Sequence, residues 1–158
     1  MGKKEKNKEQ QEYQKVQVWI HGLDQSGRRF VLLFRTNEKR GGFWQPVTGK
    51  VETTDRSLAE AALREASEES GLLFPALPRP IGFEFSFVGK WGKAHETVFE
   101  LELPTHQVGR TEILKLDPQE HQEARWVVAQ ECESLIAFDS NKEALVVLLG
   151  QLKRRSSV

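Results

Sequence analysis

Apolar and polar positions alternate along Val16-Gln17-Val18-Trp19-Ile20, the period of a half-buried strand. Asp24-Gln25-Ser26-Gly27 marks a turn, and Phe30-Val31-Leu32-Leu33-Phe34 reads as a short buried strand that completes a hairpin. Gly41-Gly42 breaks the chain before Phe43-Trp44-Gln45-Pro46-Val47. Over residues 57–70 the period becomes helical: Ser57 with Glu60 makes a capping box, alanine and leucine fill the body, and Gly71 supplies the stop. The proline-rich residues 75–80 form a loop. Strands follow around residues 81–88 and 96–103, with a weaker one near 124–128. Ser140 and Glu143 predict the cap of a last helix, striped by Leu145, Leu148, Leu149 and Leu152. Strands, helix, strands, helix predicts an α/β (α+β) fold in which a mixed β-sheet packs between α-helices.

Outside this pattern the chain is polar. Residues 1–14 hold almost nothing apolar, which predicts a flexible charged arm that cannot offset its ordering entropy, and residues 154–158 read as a flexible tail. One domain is expected between them, over residues 15–153 of the 158-residue chain. Lys+Arg and Asp+Glu each total 23, so no net charge draws the protein to nucleic acid or an anionic membrane. Cys132 is the lone cysteine, which excludes an internal disulfide and a cysteine-based zinc site and points to a reduced, cytoplasmic setting. The basic N-terminus is followed by no apolar core of a secretory signal, and the apolar runs are too short to span a bilayer.

The helix over residues 57–70 carries the chemistry. Glu65, Glu68 and Glu69 fall within one arc of roughly 100°. Acidic residues on a helix usually mark its solvated face, but Leu58, Ala61 and Ala62 project onto this same arc one to two turns earlier. The face that should meet the core thus turns from apolar to triply acidic. Glu65 and Glu69 form a like-charge i,i+4 pair, costing about 0.2–0.5 kcal/mol on an exposed helix. All three sit toward the negative end of the helix dipole, at a further cost of roughly 0.3–1 kcal/mol each. A bound cation removes both conflicts. Clustered hard oxygen ligands suit Mg²⁺ or Mn²⁺ better than zinc.

Gly49-Lys50-Val51-Glu52-Thr53-Thr54-Asp55 through Arg64-Glu65-Ala66-Ser67-Glu68-Glu69-Ser70-Gly71-Leu72 resembles the box of the Nudix hydrolases, Gly-x5-Glu-x7-Arg-Glu-U-x-Glu-Glu-x-Gly-U with U aliphatic. The second half matches throughout. In the first half Asp55 stands where the family has glutamate, and eight residues rather than seven separate it from Arg64. Phe43 to Glu52, Glu96 to Pro104, Glu120-His121 followed by Trp126, and Ser140 to Leu145 are similar to the bacterial dihydroneopterin triphosphate pyrophosphatases, also described as dATP pyrophosphohydrolases.

The resemblance implies a Nudix fold and a Mg²⁺-dependent pyrophosphohydrolase, with Mn²⁺ as a substitute. It implies that Glu65, Glu68, Glu69 and the Thr48 carbonyl hold metal, and that Glu65 or Glu120 serves as base. Gly49 would let the chain turn closely enough to bring that carbonyl to the helix. Arg64 would support the box loop, with Glu52 as its expected partner. Arg35 and Lys50 are candidate phosphate contacts, as are Lys39 and Arg40. Trp44 is the favoured ring-stacking residue, ahead of Trp91. His121, a lone histidine in a polar loop, reads as a surface residue.

Three function classes stand at this stage. The first hydrolyses a nucleoside triphosphate or dihydroneopterin triphosphate to the monophosphate and pyrophosphate. The second keeps the chemistry on dinucleoside polyphosphates or on RNA 5′-triphosphate ends, the one nucleic-acid partner the neutral charge leaves open. The third is a catalytically inactive Nudix-fold nucleotide-binding module. No membrane partner is expected, and a homodimer is left open.

Overall fold

The computed structural model describes residues 12–156. One mixed seven-stranded sheet is built from β1 (Glu12–Leu23), β2 (Arg29–Thr36), β3 (Trp44–Gln45), β4 (Val47–Lys50), β5 (Arg79–Gly89), β6 (Gly92–Glu102) and β7 (His121–Val128). Helices α1 (Leu58–Ser70) and α3 (Asp139–Ser156) cover its two faces, with the single-turn α2 (Cys132–Leu135) ahead of α3.

The central strand divides its partners. One edge of β1 pairs in parallel with β6 from Glu12↔Lys93 to His21↔Glu102. The other edge splits: Lys15 to Val18 pair with β4, and Ile20 to Leu23 pair with β2. This split brings β4, with Thr48 and Gly49, alongside the middle of the sheet and under α1. Strand alternation then sorts the core. Val16, Val18 and Ile20 pack with Ala61, Ala62 and Ala66 of α1. Trp19 faces the other way, with Val98, Ala144, Leu145, Leu148 and Leu152 on the α3 side.

The expected elements are present, with shifted boundaries: β5, β6 and β7 each begin two to four residues early, at Arg79, Gly92 and His121. β1 begins at Glu12, inside the segment expected to be an arm, because residues 12–14 extend the parallel ladder to Lys93, Ala94 and His95. Residues 1–11 lie outside the described residues, as do 157 and 158. α3 starts at Asp139, so Ser140 lies in its first turn, and it runs to Ser156 through the expected tail. Its end is tied down: Arg155 donates through both terminal nitrogens to Glu100 of β6. At the other helix Ser57 Oγ accepts from Glu60 N at 3.1 Å, and Gly71 closes α1 in the left-handed conformation at φ 73°. Among the described residues no helix is long and apolar enough to cross a membrane.

A buried polar relay fixes α3 to the sheet. Arg29 Nη1 donates to His21 Nδ1 at 2.9 Å, so the proton lies on Nε2, which reaches Glu100 Oε1 at 3.0 Å. Burial alone would raise the Glu100 carboxyl, but the hydrogen bonds from His21 and Arg155 outweigh it and hold it at about 2. A depressed carboxylate stabilises the fold above its ordinary value of 4.5, and that contribution fades as pH falls toward about 2. Glu100→Gln should therefore lose about 1–3 kcal/mol at neutral pH, with the Arg155 share discounted for its exposure. Denaturant melts from pH 7 to pH 2 should converge for the two proteins in acid; parallel curves would remove the relay from the account.

Candidate active site

The acidic face of α1 sits on β4. An added Cβ on Gly49 would overlap the carboxyl group of Glu65, so close approach of backbone to side chain, rather than an unusual φ, requires the glycine. Thr48 is therefore carried beside Glu65 by the β1–β4 ladder, in register with Gln17.

Arg64 organises the loop that leads into α1. Its Nε and Nη2 fork onto Asp55 Oδ1 and Oδ2, both at 2.9 Å, and Nη2 also donates to the Lys50 carbonyl at 3.1 Å. Nη1 donates to Glu65 Oε1 at 2.9 Å and to Glu68 Oε2 at 3.2 Å. The hydrogen bond from Arg64 holds the Asp55 carboxyl below its usual range despite partial desolvation. Glu52, the expected partner, is the more distant one at 3.6 Å, and its backbone N–H instead donates to Asp55 Oδ2 at 2.8 Å. The shorter aspartate after the longer loop thus meets the same guanidinium that supports the acidic face.

The carboxylates repel one another in a dry setting. Burial pushes Glu65 up to about 7, with the charges of Glu68 and Glu120 adding to the effect and Arg64 opposing it. Glu69 is raised well above its ordinary value by burial first, then by Glu65 and Glu120. Glu68 stays more exposed and lines neither of the two cavities described below.

Glu120 arrives from the loop before β7. Asn37 N donates to the Glu120 carbonyl at 3.1 Å, and the Asn37 side chain donates to the Gln119 carbonyl, which fixes that loop to the end of β2. A register shift between Arg35 and Thr36 adjoins the same point. His121, expected at the surface, is only 3% exposed because it begins β7 and tucks against the Phe34 ring, 5.2 Å between centroids. Burial, then the nearby Arg40 charge, lowers its imidazole to about 4. Ligand atoms of Glu69, Glu120 and His121 all lie within 4.8 Å of one another. Glu69 Oε2 and His121 Nδ1 are buried without a hydrogen-bond partner among the described residues. Two unpaired buried polar atoms facing a third ligand fit a divalent cation.

Two cavities open here and share Lys15 and Thr48. The first, about 280 Å³, is lined by Glu65, Glu120, Arg40, Lys50 and Trp91 among others. The second, about 590 Å³, runs between β5 and the start of α3 and is walled by Phe85, Phe87 and Phe138. The structure thus gathers Thr48, Gly49, Lys50, Glu52, Glu65 and Glu120 around one cleft. Arg35 is instead engaged by the Gly42 carbonyl at 3.2 Å and lines neither cavity. Trp44 also lines neither: its ring lies 4.8 Å from the Arg125 guanidinium on the α3 side, while the adjacent Gln45 faces the larger cavity. Trp91 takes the cleft position, 55% exposed with Lys50 Nζ 4.8 Å from its ring centroid. Lys15, Gln45, Phe85, Phe87, Glu96 and Asn141 were not foreseen as site residues. Strand alternation was the only sequence signal for the first four.

Comparison with known proteins agrees with this geometry. The NUDIX domain pattern matches residues 14–148. A structure from Listeria monocytogenes described as a NUDIX hydrolase is 25% identical, with a TM-score of 0.72 over 89% of this chain and 94% of that one. The NUDIX domain of Shewanella oneidensis NrtR, complexed with ADP ribose, has a TM-score of 0.72 at 13% identity, covering 90% of each chain. A Caenorhabditis elegans Ap4A hydrolase has a TM-score of 0.69 at 16% identity over 89% of this chain and 98% of that one. These two show likeness of fold. An octanoyltransferase of Myxococcus xanthus is 53% identical over 45 residues, a stretch amounting to 28% of this chain and 12% of that protein. With the pattern matched over most of its length and Glu52, Glu65 and Glu120 lining one cleft, the chain belongs to the NUDIX family, as a domain of the kind that hydrolyses phosphorus anhydrides.

Proposed function

We propose that the protein hydrolyses a nucleoside triphosphate, or a pterin triphosphate of the same shape, to the monophosphate and pyrophosphate with the help of Mg²⁺. The observation that carries this reading is the pair of cavities joined at Lys15 and Thr48: one is acidic with a cationic rim, the other aromatic. A substrate with phosphates at one end and a flat ring at the other spans the two. The intact set Glu65, Glu68 and Glu69 argues against an inactive binding module. The lone thiol, buried and pushed up to about 12 by that burial, suits a reduced cytoplasmic setting.

Glu65, Glu68, Glu69, Glu120 and the Thr48 carbonyl are the oxygen donors for the cation, and His121 adds a nitrogen that suits Mn²⁺ as a substitute. When bound, the ion neutralises charge building on the phosphate oxygens and lowers the pKa of water. Lys15, Arg40 and Lys50, which line the same cleft, attract and orient the phosphates. Glu65 already accepts from Arg64, whereas Glu120 Oε1 has only Arg40 at 3.9 Å, which leaves Glu120 better placed to take the proton of the attacking water. Arg64 acts as a positioning residue, and Trp91 closes the outer rim of the cleft.

Incubating the protein with Mg²⁺ and a panel of nucleoside, deoxynucleoside and dihydroneopterin triphosphates, diadenosine tetraphosphate and triphosphorylated RNA tests this directly. Pyrophosphate and monophosphate should appear with one triphosphate class, and the Glu68→Gln, Glu69→Gln double variant should be slower by about 100-fold or more. Turnover of the dinucleotide alone would replace the proposed substrate, and no turnover with Mg²⁺ or Mn²⁺ would favour a binding module. Gly49→Ala should weaken Mn²⁺ binding in a calorimetric titration by about 10–100-fold, because Glu65 must move to admit the methyl group. Wild-type affinity in that variant would show that the Glu65 position is dispensable.

A further inference from the structure

The floor of the aromatic cavity holds a polar set that neither the metal chemistry nor the fold uses. Glu96 is 3% exposed and lines the cavity from β6. Its orientation is fixed from behind. Trp19 Nε1 donates to Gln17 Oε1 at 2.7 Å, so Gln17 must present its NH₂ group, which donates to Glu96 Oε2 at 2.6 Å. Oε1 is left with Lys15 Nζ at 3.8 Å, beyond hydrogen-bond reach. Asn141, 4% exposed in the first turn of α3, lines the same cavity and has no side-chain partner among the described residues. A relay from a buried tryptophan thus aims one carboxylate oxygen at the cavity beside an amide with no partner of its own, an arrangement suited to a polar ligand.

From this arrangement we infer that Glu96 and Asn141 read the 2-amino-4-oxopyrimidine edge of the substrate's ring, the edge that guanine and pterins share. That edge offers two parallel N–H donors, from the ring nitrogen and the exocyclic amine, beside a carbonyl acceptor. A carboxylate matches the two donors, with Oε1 and the remaining lone pair of Oε2 free to accept. The Asn141 amide can donate to the carbonyl beside them. Phe85 and Phe87, neighbours on one face of β5 with ring centroids 5.9 Å apart, supply an apolar wall for the ring. Adenine lacks the paired donors, and hypoxanthine lacks the exocyclic amine. Burial pushes the Glu96 carboxyl upward, and two N–H donors from a ligand would compensate that desolvation. The inference rests on the two-cavity reading of the cleft, which places phosphates at one end and the ring at the other.

The deciding comparison is GTP against ITP, which differ by the 2-amino group alone. Steady-state hydrolysis of GTP, dihydroneopterin triphosphate, ITP and ATP should be measured for the wild type and for Glu96→Gln. Guanosine and inosine monophosphates should also be titrated onto the wild type without metal. The expected result is kcat/KM at least about tenfold higher for GTP or the pterin than for ITP, a ratio that falls toward one in Glu96→Gln. Whichever of GTP and the pterin is faster identifies the source of the shared edge. If Glu96→Gln fails to fold by circular dichroism, the guanosine-over-inosine preference in wild-type binding carries the test. Equal treatment of GTP and ITP in both hydrolysis and binding overturns the inference. No turnover of any triphosphate, with guanosine monophosphate still bound more tightly than inosine monophosphate, overturns the hydrolase reading and leaves this inference standing.

Discussion

Glu65 and Glu69 are two carboxylates one helical turn apart, both buried against a sheet, with Glu120 brought up to face them. Like charges at this spacing in a poorly hydrated place repel and lose hydration together, which is why both groups are raised toward the neutral form. A protein selected for stability alone would fill these positions with apolar side chains, as it does one turn earlier with Ala61 and Ala62. The rest of the structure follows from keeping the acids there. Gly49 removes a side chain so that Glu65 fits, Arg64 supplies compensating charge from the side, and the split pairing of β1 brings Thr48 to the same cleft.

Compensation and access are divided between different groups. Arg64 is spent on Asp55, Lys50, Glu65 and Glu68, which makes it a brace for the loop and leaves the cleft side of the carboxylates open. Glu69 Oε2 and His121 Nδ1 have no hydrogen-bond partner among the described residues, and the cations lining the cleft are Lys15, Arg40 and Lys50. Acidic and basic groups line the same cavity of about 280 Å³, a lining suited to a cation and a polyphosphate together.

How much of this could be read in the chain depends on the range of the interaction involved. Helix α1 with its cap, its stop and its misplaced acids was legible because each signal lies within a few residues. The exchange of Glu52 for Asp55 as the main partner of Arg64 was not, since loop geometry and side-chain reach decide it. Lys15, Glu96 and Asn141 meet only through the parallel β1–β6 ladder and the docking of α3, which no local period encodes. The positions of Trp44 and Trp91 differ from expectation for a similar reason. Trp44 turns to the α3-side core while its neighbour Gln45 faces the cavity, and the β5–β6 turn carries Trp91 to the cleft. His121 reads as a loop residue because β7 starts on it, one position after Glu120.

We hold that the acidic face of α1 is kept at a cost in stability so that a divalent cation can bind. Thermal melts of the wild type and Glu69→Gln at pH 8, each with EDTA and with millimolar Mg²⁺ or Mn²⁺, test it most directly. The metal should raise the wild-type Tm by several degrees. Glu69→Gln should melt higher than the wild type in EDTA and lose most of the response to metal. A variant that melts lower than the wild type in EDTA and gains as much from the metal would contradict it.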